Sequence, residues 1–156
     1  MYSTILVPTD GSETAARAVD HAVDLATRYG ATLHALSVVD VSDLGLRTPP
    51  DVDVEELRRP VRERAQDAVD TVVHAGEHAG VSVVPVTKVG VTHQVVLDYA
   101  EEAGVDLVVM GTHGRSGLPR AILGSVTERV VRSAPVPVLA VGPDAESEAT
   151  ESEDAE

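Results

Sequence analysis

The chain of 156 residues has no cysteine, no phenylalanine and no tryptophan, and only three tyrosines. Without cysteine there is no thiol nucleophile, no disulfide and no thiolate-bound metal. Without large aromatics the core has to be built from Val, Leu, Ile and Ala. Lysine is nearly absent as well: Lys88 is the exception among bases that are otherwise arginine. No apolar run approaches the roughly 18 residues of a membrane-spanning helix. Met1-Tyr2-Ser3 enters a strand-like run at once, with no basic and then apolar leader. A cytosolic protein of one domain is the expectation. The GxxxxGK[ST] loop, an early GxGxxG, the HExxH zinc motif and the serine elbow of hydrolases are all missing.

What the chain has in excess is acid. Its 26 Asp and Glu against 12 Lys and Arg give a net charge of −14. Such a surface repels nucleic acid and anionic membranes. It also repels itself, and molar salt screens that repulsion because the Debye length falls to about 3 Å. A salt-rich cytoplasm is therefore expected. Half of the excess lies in "PDAESEATESEDAE" (143–156), which carries seven acids, no base and no large apolar residue. That tail cannot join a core and reads as disordered. The body, residues 1–142, is the folded domain.

Five short runs rich in Val, Ile and Leu read as strands: 3–7, 32–39, 82–87, 106–110 and 136–141. Their near-continuous apolarity suits strands buried on both faces. Helical patterns lie between them, from about Glu13 to Tyr29, up to Gly80, from about Thr92 to Ala103, and after Ser125. Alternating strands and helices predict an α/β three-layer sandwich around a parallel sheet of five strands. The order 3-2-1-4-5 puts Pro85 and Pro137, which fall in the third and fifth strands, at the sheet edges where proline is tolerated. Residues 40–52 read as a mobile loop. Pro60 would kink any helix running through it, so the second helix is expected to begin there.

In open parallel sheets ligands bind beyond the carboxyl ends of the strands, where the strand order reverses. Two segments reach that point, "PTDGS" (8–12) and "GTHGRSGLPRAILGS" (111–125). The second holds no acid, in an acidic chain. Gly111 permits a sharp exit from the strand, and Gly114 lets the backbone approach a ligand. Gly124 and Ser125 open a helix whose free N–H groups suit an anion. Arg115 adds a charged fork. Two readings compete at Ser125: phosphate binding, or a capping box with Glu128 in "SVTE". Two also compete at Asp10: capping the first helix, or bonding a ribose hydroxyl or a metal-bound water. His113 either touches phosphate or sits solvated in the loop, and the solvated reading is preferred. His21, His34, His74, His78 and His93 show no metal-ligand spacing. Arg58, Arg59, Arg62 and Arg64 stand among acids as a solvated helix face.

Gly111-x-x-Gly114, nine further residues and Gly124-Ser125 resemble the ATP-binding signature of the universal stress protein family. "ILVPTDGSETAARAVDHAVDLA", "LHALSVVD" and "VPVLAV" are similar to that family's opening, second strand and last strand, so the resemblance extends over residues 2–142. It implies a Rossmann-like fold of the adenine nucleotide alpha hydrolase-like type. It also implies a homodimer joined along the last strand (136–141) and ATP carrying Mg or Mn on its phosphates. By position, Pro8, Thr9 and Asp10 would line the adenosine side, and the backbone of Val38 would meet adenine. Met110, Gly111, His113, Gly114, Arg115, Gly124, Ser125, Val126 and Thr127 would surround ribose and phosphates. The function implied is an ATP-binding module of stress response or signalling. A slow ATPase or nucleotidyl transferase, with Asp10 and His113 as the only candidate bases, and a dimerisation scaffold with an empty cleft are the alternatives.

Overall fold

The computed structural model describes residues 1–40, 50–51, 53–114 and 122–144. Among them, strands and helices alternate as β1 (Thr4–Pro8), α1 (Glu13–Tyr29), β2 (Thr32–Asp40), α2 (Val54–Ala79), β3 (Val83–Gly90), α3 (Thr92–Glu102), β4 (Leu107–Gly111), α4 (Ser125–Ser133) and β5 (Val138–Val141). The five strands form one parallel sheet in the order β3-β2-β1-β4-β5, as the sequence predicts.

Period-two alternation along the strands supplies two cores. Ile5, Val7, Leu33, Ala35 and Val109 pack with Ala18 and Ala22 of α1 and Val69 and Val72 of α2. Leu6, Leu36, Val108 and Met110 point the other way and meet Val96 and Ala100 of α3 and Val130 of α4. The sheet is thus covered on both faces. Each fully buried Val, Leu or Ile contributes about 1.5–3 kcal/mol, so branched aliphatics replace the missing aromatics. Tyr2 and Tyr29 meet edge to face at 5.1 Å, clasping the start of β1 to the end of α1. Ser12 caps α1 by accepting from the Ala15 amide, and Gly30 and Gly80 close α1 and α2 in the left-handed conformation. No helix of the described residues is long and apolar enough to cross a membrane.

Two boundaries differ from the sequence reading. α2 does not begin at Pro60 but at Val54, and Pro60 lies inside it. Asp53 caps the helix by accepting from the Glu55 amide. Glu55 then reaches Arg58 (3.5 Å) and Arg62 (3.4 Å), on either side of the proline. The early cap and these pairs hold together the two halves that a missing proline N–H would loosen. Pro137 is not within β5 but just before it, where its carbonyl accepts from the Val108 amide. Pro85 does lie within β3, the edge strand whose one neighbour in the sheet is β2. Of the predicted loop 40–52, Asp40 belongs to β2, while 41–49 and 52 lie outside the described residues, as do 145–156 of the acidic tail.

Candidate functional site

The sheet opens where the topology reverses. β1 pairs with β2 over five residues, Thr4 to Pro8, but with β4 only at Ile5–Leu107 and Leu6–Val108. The alternation of backbone groups explains the difference. Ser3 O accepts from Thr32 on the β2 side and Thr4 O accepts from Asp106 on the β4 side. Even-numbered residues of β1 therefore turn their polar groups toward β4. Pro8 is the next in that series after Leu6, and it has no N–H to give. The chain then stays with β2, as Thr9 donates to Leu36 O at 2.8 Å, and a crevice opens toward β4.

Thr9, Asp10 and Gly11 form a tight turn at the mouth of this crevice. Gly11 has φ 77° and donates to Thr9 Oγ1 (3.2 Å), while Ser12 donates to Asp10 Oδ1 (2.9 Å). The capping reading of Asp10 is therefore corrected: Ser12 caps α1, and Asp10 shapes the turn before it.

Across the crevice, close approach explains the glycines, none of which has positive φ. A Cβ on Gly111 would stand 2.9 Å from Thr14 Cγ2 of α1, and one on Gly114 would stand 2.7 Å from Asp10 Oδ2. A Cβ on Gly124 would stand 3.0 Å from Thr112 O, to which the Gly124 amide donates at 2.8 Å. The sharp exit expected of Gly111 is not its role; it clears the way for α1.

His113 is not solvated. It is 7% exposed, with Nδ1 at 3.0 Å from Thr112 Oγ1 and Nε2 on the Ile122 carbonyl. A carbonyl only accepts, so Nε2 carries a proton. Residue 113 is thereby strapped to residue 122 across the glycine-rich segment. Residues 115–121 lie outside the described residues, and with them the expected fork of Arg115.

α4 begins with Gly124 at its N-cap, which has no side chain to cap the first amides. Ser125 is the first helical residue, which corrects the capping-box reading. Glu128 turns outward instead, to Arg132 at 2.7 Å. Its own amide bonds Gly124 O, and the Thr127 hydroxyl donates to Gly111 O at 2.8 Å. Among the described residues no N-cap side chain covers the amides of the first turn, which stand at the positive end of the helix dipole.

These parts line one open cleft of about 200 Å³. Of the residues singled out from sequence, Pro8, Thr9, Asp10, Val38, Met110, Gly111, His113, Gly114, Val126 and Thr127 line it. Gly124 and Ser125, at the start of α4, do not. Ala15, Leu36 and Thr92 line it without having been foreseen. Leu36 is two residues before Val38 on one strand face, a signal the alternation carried. Thr92 owes its place to Asp40, whose Oδ2 accepts from its amide (3.0 Å) and its hydroxyl (2.7 Å). That contact spans 52 residues and has no local sequence signal. Val38 shares the backbone direction of Leu36 but lies beyond Pro8, the last residue of β1 paired with β2. Its N–H and C=O therefore project past the end of β1.

The family model described as Universal stress protein family matches residues 1–142. Universal stress protein MJ0531 of Methanocaldococcus jannaschii is 39% identical over 142 residues, which is 90% of this chain and 82% of that protein. The solved universal stress protein UspA from Lactobacillus plantarum superposes with a TM-score of 0.81 at 32% identity, covering 90% of this chain and 97% of that one. A universal stress protein solved in complex with cAMP superposes with a TM-score of 0.70 at 25% identity, covering 92% and 99%.

Proposed function

The chain belongs to the universal stress protein family, and from that premise we propose that it binds ATP as a homodimeric stress-response or signalling module. The observation that carries this reading is the uncapped start of α4 at the cleft, with Val126 and Thr127 on the wall and Glu128 turned away to Arg132. Backbone amides and the helix dipole there suit phosphate. Glycines at 111, 114 and 124 keep Cβ atoms out of the space between Asp10, α1 and the strand end. The apolar stretch from Leu36 and Val38 to Met110 suits a base. The cAMP held by a relative at 25% identity is likewise an adenine nucleotide.

Binding rather than catalysis fits the candidate bases. Both ring nitrogens of His113 are engaged by protein, and Asp10 Oδ1 holds the Ser12 amide. Among the described residues no group of three or more His, Cys, Asp or Glu is placed to hold a metal. Asp10 is the one carboxylate among the described lining residues. That donor set fits hydrated Mg or Mn carried by the phosphates and met by Asp10, and does not fit an all-protein cage. The ion would neutralise phosphate charge in an acidic molecule. The dimer proposed here joins along β5, one of the two edges of the sheet, and the 39% exposure of Leu139 supports it.

Titration calorimetry with Mg-ATP in high KCl tests the reading, with a thermal shift as the second readout. The absence of both heat and shift at millimolar ATP refutes it. Sedimentation tests the dimer: Leu139→Arg is expected to give monomers that still bind nucleotide.

A further inference from the structure

Strand order sets β2 and β3 on one side of β1, and β4 with its glycine segment on the other. With phosphate at the start of α4, the base reaches toward Val38 and Thr92, which line the opposite side of the cleft. Thr92 is the one described lining residue on that side with a side-chain hydroxyl, and its hydroxyl proton is committed. Asp40 Oδ2 lies 2.7 Å from Thr92 Oγ1 and 3.0 Å from the Thr92 amide, so one carboxylate oxygen fixes both the rotamer and the helix start. An ionised carboxylate only accepts, so the hydroxyl must donate to it. A hydroxyl has one proton and two lone pairs, and Oγ1 therefore offers the cleft lone pairs alone.

We infer that Thr92, oriented by Asp40, selects bases that carry an exocyclic amino group over bases that carry an oxo group at the same place. The inference rests on nucleotide occupying the cleft as proposed above. A 6-aminopurine donates from its amino group to Oγ1. A 6-oxopurine sets an acceptor against an acceptor, leaving both unbonded where water is partly excluded. Sites that hydrogen-bond one substituent reject the analogue lacking it far more strongly than apolar pockets reject a changed shape. Asp40 acts through Thr92 and is a positioning residue.

ATP and ITP differ in the group at position 6 and in the proton that the oxo form carries on N1, so calorimetric titration of the full chain with each, in Mg and high KCl, reads the selection at this edge of the base. The wild type is expected to bind ITP at least about tenfold more weakly than ATP, the scale of one hydrogen bond lost to an unpaired group. Thr92→Val keeps the shape and the amide bond to Asp40 but removes the acceptor, and the two affinities should then agree within about threefold. Thr92→Ser restores the oxygen and should restore the preference. Retained ATP binding by the valine variant shows that it is folded. Equal ATP and ITP affinities in the wild type, or an undiminished preference in Thr92→Val, overturn the inference and leave the proposed function standing. If neither nucleotide binds, the proposed function fails and this inference falls with it.

Discussion

Gly114 and Asp10 occupy adjoining halves of one space: a Cβ at 114 would stand 2.7 Å from Asp10 Oδ2. Asp10 cannot simply swing aside, because its other oxygen holds the Ser12 amide at 2.9 Å and Ser12 caps α1. The turn after β1 and the segment after β4 are thus fitted to one another across the crevice.

Gly114→Ala is expected to weaken ATP binding about tenfold, the order of one misplaced polar contact, with little loss of stability. In an Asp10→Ala background the same change should cost nothing further, since the clashing oxygen is gone. Gly124→Ala meets backbone instead, Thr112 O at 3.0 Å and His113 Cα at 3.4 Å. It should lower unfolding stability by about 1–3 kcal/mol. Calorimetry and urea melts of the four variants separate the two effects.

His113 straps the two ends of the glycine-rich segment, and a leucine there keeps the bulk and loses both bonds. His113→Leu is expected to cost about 1–3 kcal/mol of stability through the unpaired groups it leaves. It should also weaken ATP binding, because the strap holds the approach to α4. His113→Gln places an N–H near the position of Nε2 and should recover part of both losses. Wild-type ATP affinity in a folded leucine variant would show that the strap does not set the site.

His34 Nδ1 lies 2.6 Å from Tyr99 Oη, and burial lowers the imidazole pKa from 6.5 while it raises that of the phenol. Both shifts favour the neutral partners. A lowered histidine pKa means that the unfolded chain binds the proton more readily. This contribution to stability is whole above pH 6.5 and falls as the pH drops through 6.5 toward the lower folded value. His34→Asn should flatten that part of the profile of urea midpoints between about pH 7 and pH 5. An unchanged slope would assign it to other groups.

Asp106 behaves in the same sense, at lower pH. The amides of Ser3 (2.8 Å) and Thr4 (2.9 Å) both donate to its Oδ2 and hold its carboxyl below the ordinary 3.8. Its contribution is present above pH 3.8 and is lost as the pH falls through the lowered folded value. Asp106→Asn should be less stable than wild type at neutral pH and should converge with it in strong acid. A gap between their urea midpoints that persists there would exclude this linkage.

The fold was legible because the signals that define it are local. Valine-rich runs, helical periodicity and glycines at 30 and 80 each act within a few residues, and the two prolines pointed to the edges of the sheet. What was misread depended on contacts made across the fold. Pro60 looked like a helix start because Glu55 joining Arg58 and Arg62 around it has no sequence signature. In "DGSE" and "SVTE" the capping role was read at the wrong residue, because sequence does not say which residue leaves the helical conformation first. Asp10 and Ser125 were candidates, whereas Ser12 and Gly124 hold the N-cap positions. His113 looked solvated because its partner, the Ile122 carbonyl, is nine residues away. Thr92, at the start of α3, was invisible because Asp40 places it from the end of β2.

The same separation of local from distant forces bears on salt. The chain carries −14, and its described pairs, such as Arg28–Asp24 (3.0 Å), Lys88–Glu102 (3.8 Å) and Arg132–Glu128 (2.7 Å), are exposed contacts worth at most about 1 kcal/mol each. With 26 acids against 12 bases, such pairs leave the acid excess uncompensated. Repulsion among acids acts over tens of ångströms at low ionic strength and within about 3 Å at 1 M, whereas amide bonds to phosphate act only at contact. Raising KCl should therefore raise the unfolding midpoint. It should also quicken ATP association, the reverse of what salt does to a cationic phosphate site. Stopped-flow and thermal melts from 0.1 to 2 M KCl read the two together. A midpoint that stays flat would remove self-repulsion as a cause, and association slowed by salt would mean that cations rather than amides draw the nucleotide in.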